Sequence, residues 1–258
     1  MRLGCVVRDI GEAELAAAHA VDYLELKGDV LCAELDELRT LQKGLLATGV
    51  PVETMTSPLP RRFGCRVVGP DADHRRALEV FRAMTERGGD LGVRMVVLGS
   101  GQARTVRDGF PVAHAETQFR AFVEQALEVC RERHQHLTVE PLHRGETNFV
   151  NSCAEARAML ADLDEVMITA DCYHIVTEEL DIVAETAGRI AHAHTSSLPR
   201  GSADLRPDVQ AAFVAGLRAG GHDGGLTLED SFDDPAAQLP TALETLRRVL
   251  SAHDSEEW

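Results

Sequence analysis

The sequence predicts a (β/α)8 barrel, and three observations carry that prediction. Short apolar, β-branched runs recur eight times along the 258 residues. Stretches with apolar residues three or four apart lie between most of them. No G-x-G-x-x-G follows the first run, so the competing open, doubly wound sheet lacks its dinucleotide fingerprint. Strands that alternate with helices are parallel strands joined by crossovers, and eight in about 250 residues is the tally of a closed barrel. A single domain over residues 1–258 is expected, because 44% hydrophobic residues suffice for a core and no linker-like run interrupts the chain.

Each element has its own signal. The first strand, LGCVV (3–7), gives way to Arg8 and Asp9; the opening stretch is too short and too charged for a signal peptide or membrane span. YLELK (23–27) is the second strand, and AELDELRTLQKGLLATG is a helical stretch stopped by Gly49 before VPVETM (50–55). The next helix is expected to stop at Gly88-Gly89, ahead of the fourth strand, VRMVVLGS (93–100). ETQFRAFVEQALEVCRER then leads into LTVEP (137–141). Ser152 and Glu155 read as a capping box on the way to VMITAD (166–171). After IAHAHT (190–195), Gly220-Gly221 closes a helix before LTLED (226–230), and Asp234-Pro235 reads as the N-cap and first-turn proline of the last helix.

Charge narrows the partners. With 26 basic against 42 acidic residues the net charge is −16, which disfavours binding to nucleic-acid backbones. It favours a small neutral substrate, or an anion met by a few local arginines. Six scattered cysteines without a C-x-x-C pair read as reduced thiols, so a cytoplasmic protein is expected.

The chemistry gathers at the strand ends, where barrels of this kind build their sites. Strand five ends on Glu140, strand six on Asp171, strand seven near His194 and strand eight on Glu229. Three ionised carboxylates in one mouth repel one another and lose solvation. A divalent cation removes both problems, and a mixed oxygen and nitrogen set suits Mn²⁺, Mg²⁺ or Co²⁺, with Zn²⁺ also admissible. Taken singly, a carboxylate at a strand end is more often a helix cap or a surface group; recurrence over four successive strands is the signal. Alternation puts Thr138, Thr169, His192 and Thr227 on the same face, one step below each candidate. That layer is expected to support the ligands through hydrogen bonds, against the plainer account that threonine favours strands.

Other residues signal more weakly. GSGQAR, with Arg104, suggests a phosphate cradle, but an ordinary glycine-rich turn is the better reading because no P-loop signature is present. Glu53 is a candidate pocket residue, and Glu25 is read as structural or as a pocket wall. His143, His134 and His136 are read as surface residues, Cys172 as a buried filler and the HDSEEW tail as solvated.

VEPLHRGETNFVNS, DCYH, HAHTSSLPR and LTLED, with VGPDAD and GSGQARTVRDGFP upstream, resemble the sugar phosphate isomerase/epimerase family of xylose isomerase-like barrels. Within it they are most similar to the ketose 3-epimerases of the D-tagatose and D-psicose type. The resemblance implies one divalent metal, Mn²⁺ foremost, on Glu140, Asp171, His194 and Glu229. It implies that Glu140 and Glu229 are the acid/base pair, and that Glu146, His174 and Arg200 hold the reacting end of the substrate. A sugar or sugar phosphate, and a homodimer or homotetramer, follow from the same source. The chemistry is coherent: proton loss beside a carbonyl gives an enediolate, and epimerisation needs bases on two faces. Aldose–ketose or hydroxypyruvate isomerisation and inosose dehydration would use a similar rim. An endonuclease IV-like hydrolase fits less well, lacking further strand-end histidines, and a non-catalytic sugar-binding barrel is disfavoured by the intact base pair. One stretch departs from the family: GSADLRPDVQ after Arg200 lacks the usual Pro-Gly and further glycines, which leaves the lid and the substrate open. The only tryptophan is Trp258, so tryptophan walls for a sugar are not expected.

Overall fold

The computed structural model describes residues 1–254, so Trp258 and the end of the acidic tail lie outside it. Eight strands form the closed barrel expected: β1 (Arg2–Val7), β2 (Tyr23–Lys27), β3 (Val52–Thr56), β4 (Met95–Leu98), β5 (His136–Val139), β6 (Met167–Asp171), β7 (Ile190–Thr195) and β8 (Gly225–Leu228). Each pairs in parallel with the next, and β8 pairs with β1 to close the ring. Several strands are shorter than their apolar runs. β4 ends at Leu98, because Gly99 and Ser100 turn away into a short helix, α1 (Gly101–Arg104). Glu140 and Glu229 stand one residue beyond β5 and β8, where a side chain reaches the mouth.

Helices cover the outside. The longest among the described residues, α2 (Val112–Glu132), buries Ala115, Phe119, Phe122, Val123, Ala126 and Cys130, the three- and four-residue spacing of one face. The capping signals work with one adjustment. Ser152 accepts from the amide of Glu155, but the Glu155 carboxylate reaches the amide of Asn151, one residue before the cap. Asp234 caps the last helix, α3 (Pro235–Asp254), by accepting from the amide of Ala237. Gly49 and Gly221 have left-handed backbones just beyond their helices, as expected. Gly88-Gly89 does not stop its helix, which runs on through Asp90. A Cβ on Gly88 would lie 2.9 Å from Met55 Sδ, so this glycine serves close helix-to-barrel packing, and Gly92 makes the left-handed turn.

The lower barrel is plugged by Tyr23. Its side chain fills the space left at Gly4 and Gly225, where added Cβ atoms would lie 2.3 Å from the ring and 2.2 Å from the hydroxyl oxygen, and that hydroxyl pairs with Thr227 at 2.7 Å. A solid floor leaves the carboxyl-end mouth as the place for chemistry. No helix among the described residues is long and apolar enough to cross a membrane.

Candidate active site

Glu140, Asp171, His194 and Glu229 converge at the carboxyl rim. Each offers a ligand atom within 4.8 Å of the other three, and all four side chains are buried. The register does the placing: Asp171 lies opposite His194 across β6 and β7, and the amide of Glu229 donates to Thr195 of β7 at 2.8 Å. Glu140 is held from below and behind. Buried Arg104 donates to its carbonyl at 2.6 Å, and a Cβ on Gly99 would lie 2.0 Å from its Oε2. Arg104 is therefore spent inside the protein and makes no phosphate cradle; the glycine-rich turn reading holds.

His194 sits at the centre. Its Nδ1 faces Glu140 Oε1 at 2.8 Å and Glu229 Oε2 at 3.3 Å, while Nε2 bonds Glu25 Oε1 at 2.9 Å. Burial works against a charge here, but Glu25 and Glu140 outweigh it and hold the imidazole well above its ordinary range. Burial likewise opposes ionisation of Glu25, yet His194 and His192 hold its carboxyl well below the usual carboxylate range. Burial pushes Asp171 up, against the pull of Arg200. Glu229, despite burial, is held well below by Lys27 and His194. Three buried carboxylates around one imidazole nitrogen form a donor set compatible with a hard divalent cation, which would balance their charge.

The other three predicted residues stand beside this quartet. Arg200 donates to Asp171 Oδ2 at 3.2 Å, lies 3.8 Å from Glu146 Oε1 and stacks its guanidinium over Tyr173. His174 is buried; its Nδ1 accepts from the amide of His143 at 3.1 Å, so its proton is on Nε2, which faces Asp171 Oδ2 at 3.4 Å. Burial lowers His174 to about 4, leaving it a neutral donor. Glu146 is half-buried at the lip. His143 is not the surface residue expected. Its ring packs edge-on against Tyr173 and beside His174, with Nδ1 accepting from the amide of Gly145 and Nε2 facing Glu146 at 3.5 Å.

A family model, Xylose isomerase-like TIM barrel, matches residues 13–249. The chain belongs to that family. None of the curated proteins matches it by sequence. Solved structures match over nearly the whole length. An L-ribulose 3-epimerase is 19% identical with a TM-score of 0.79, over 100% of this chain and 98% of that one. A D-psicose 3-epimerase, solved in the presence of D-fructose, is 17% identical with a TM-score of 0.77 over 99% of each chain. The 3-keto-D-glucoside 4-epimerase of E. coli is 19% identical with a TM-score of 0.76, over 96% of this chain and 99% of that one. At these identities the likeness is one of fold.

Within this xylose isomerase-like barrel, three further residues act at the site without having been assigned to it. Lys27, the last residue of β2, donates to Glu229 Oε1. Glu25 joins His192 to His194, as the structural reading of it anticipated. Asp230 accepts from the amides of Ser197 and Gly201, both at 2.6 Å, and so clamps the loop that carries Arg200. The supporting layer is present but works otherwise than expected. Thr138 and Thr169 bond each other at 2.7 Å, Thr227 joins Tyr23 to His192, and His192 meets His194 through Glu25 and by an edge-on ring contact at 4.9 Å between centroids. Glu53 does not line the carboxyl-end mouth: it lies near the start of β3 and pairs with Arg2 at the start of β1, at the opposite end of the barrel. His134 and His136 are exposed, and Cys172 is fully buried, as anticipated.

Proposed function

We propose that this protein is a metal-dependent sugar isomerase or epimerase, and foremost a ketose 3-epimerase. The observation that carries the reading is that Glu140 and Glu229, just beyond β5 and β8, both face Nδ1 of His194, at 2.8 and 3.3 Å, within the buried quartet that Asp171 completes. Glu140, Asp171, His194 and Glu229 would hold one divalent ion, Mn²⁺ foremost. When bound, that ion supplies electrostatic stabilisation to oxygen atoms on which negative charge develops. The residues themselves divide the remaining work. One of the two glutamates takes the proton from the carbon beside the ketone, and the other returns a proton to the opposite face, which inverts the centre. His174 donates through Nε2–H, and Arg200 through its guanidinium, to the sugar oxygen that becomes an enediolate oxygen. Glu146, at the lip, accepts from a hydroxyl. Neutral His174 suits this role, because a donor that stays uncharged leaves the charge balance of the pocket unaltered.

The test is hydrogen exchange in D₂O. Protein loaded with Mn²⁺ is offered a panel of free and phosphorylated ketoses, with Glu140→Gln and Glu229→Gln as controls. Deuterium at C3 that disappears in both variants is the expected result. Deuterium at C1 would instead indicate aldose–ketose isomerisation on the same residues, and absence of exchange with every sugar would end the epimerase reading.

A further inference from the structure

Lys27 has no part in the chemistry above, yet its ammonium lies against one of the four residues assigned to the ion. It donates to Oε1 of Glu229, whereas Oε2 of the same carboxylate is the oxygen that faces His194. The two oxygens are therefore divided between a lysine and the quartet. Lys27 keeps 29% of its side chain exposed against 7% for Glu229, so the pair is part-buried. The pair joins residues 202 apart in sequence, from β2 across to the end of β8. Lys27 also feels the field of Glu140, and shares with Arg200 the work of neutralising the buried carboxylates.

We propose that Lys27 is a positioning residue and the built-in counter-charge of this site: it holds Glu229 by the outer oxygen, keeps Oε2 aimed at the other ligands, and keeps cation affinity low enough for the ion to exchange. The inference rests on the metal reading given above. Its direction follows from charge. A fixed positive charge that neutralises one oxygen of a carboxylate ligand, in a medium of low effective dielectric, opposes the approach of a divalent ion to that ligand. Removing the charge while keeping the stem should tighten binding of the ion.

The experiment is calorimetric titration of metal-stripped protein with Mn²⁺ alone, for the wild type, Lys27→Met and Lys27→Arg, with far-ultraviolet dichroism to verify folding. Lys27→Met is expected to bind Mn²⁺ at least about tenfold more tightly and to release it more slowly to a chelator. Lys27→Arg, which keeps the charge, is expected to stay near the wild type. Unchanged or weaker binding by Lys27→Met would overturn the inference, as would a Lys27→Arg variant that behaves like Lys27→Met, since the effect would then be one of packing. A wild-type protein that binds no Mn²⁺ would remove the metal reading and the inference together. Binding by the wild type with no response to Lys27→Met would remove the inference alone.

Discussion

His194 shows how much a single side chain must reconcile. Its Nε2 is committed to Glu25, and its Nδ1, with a proton, bridges toward Glu140 and Glu229. Because these carboxylates hold the imidazole well above its ordinary range, it carries that second proton at neutral pH, and a cation can occupy Nδ1 only by displacing it. Binding of Mn²⁺ is therefore expected to release about one proton at pH 7, with affinity rising about tenfold per pH unit. Calorimetry in buffers of different ionisation enthalpy measures this, and zero release would contradict it. His174 makes the opposite case. Its folded value, about 4, lies below the ordinary 6.5, so its neutrality contributes stability that is complete above pH 6.5 and is lost as pH falls toward 4. Urea midpoints across that window should show His174→Gln losing less stability than the wild type, by on the order of 3 kcal/mol. Parallel curves would show that the imidazole is not buried neutral. That Glu140, Asp171, His194 and Glu229 meet at one rim was legible in the sequence, because each stands at or near the end of an apolar run and the barrel rule collects such ends. Lys27 also ends a run, YLELK, but the same rule gives no reason to pair it with a glutamate 202 residues away.

At the scale of elements, the loop between β7 and the following helix is the part least legible in sequence. GSADLRPDVQ reads as a departure from the family, yet the structure holds the start of this loop firmly through Asp230, whose carboxylate takes the amides of Ser197 and Gly201. Such bonds depend on two loops meeting across the rim, a long-range geometry that spacing does not encode. The loop carries Arg200, which reaches Asp171 and stacks on Tyr173. Asp230→Ala leaves the buried amide of Ser197 and the half-buried amide of Gly201 without their acceptor and frees the loop. In steady-state assays on whichever sugar shows exchange, the expected outcome is a KM raised about tenfold, with Mn²⁺ affinity within a factor of about two of the wild type. A parallel loss of metal binding would mean that Asp230 supports the quartet rather than the loop. The supporting layer teaches the same lesson. Alternation placed Thr138, Thr169, His192 and Thr227 on the right face, but the partners of His192 and Thr227 came from β2, through Glu25 and Tyr23, and only ring closure brings those strands together.

The whole molecule couples these scales, because the candidate ligands come from four consecutive strands of a ring that closes through β1 and β8. The proposed ion, held from β5, β6, β7 and β8, would tie half the barrel together at its mouth, while Tyr23 locks the floor. Without the ion, the buried carboxylates repel and depend on His194, Lys27 and Arg200 for balance. Unfolding scatters the ligands, so whatever binds the folded form alone stabilises it by mass action. At Mn²⁺ one hundred times its dissociation constant the gain is about 2.7 kcal/mol, which for a protein of this size raises the melting temperature by about 5–11 °C. Differential scanning calorimetry of chelated and Mn²⁺-loaded protein measures that shift, and in Asp171→Asn, which weakens one ligand while leaving the strand intact, it should shrink by at least half at the same Mn²⁺ concentration. Equal shifts in the two proteins would place the ion elsewhere. Identical melting of chelated and loaded wild type would mean that the quartet holds itself together by its own ion pairs.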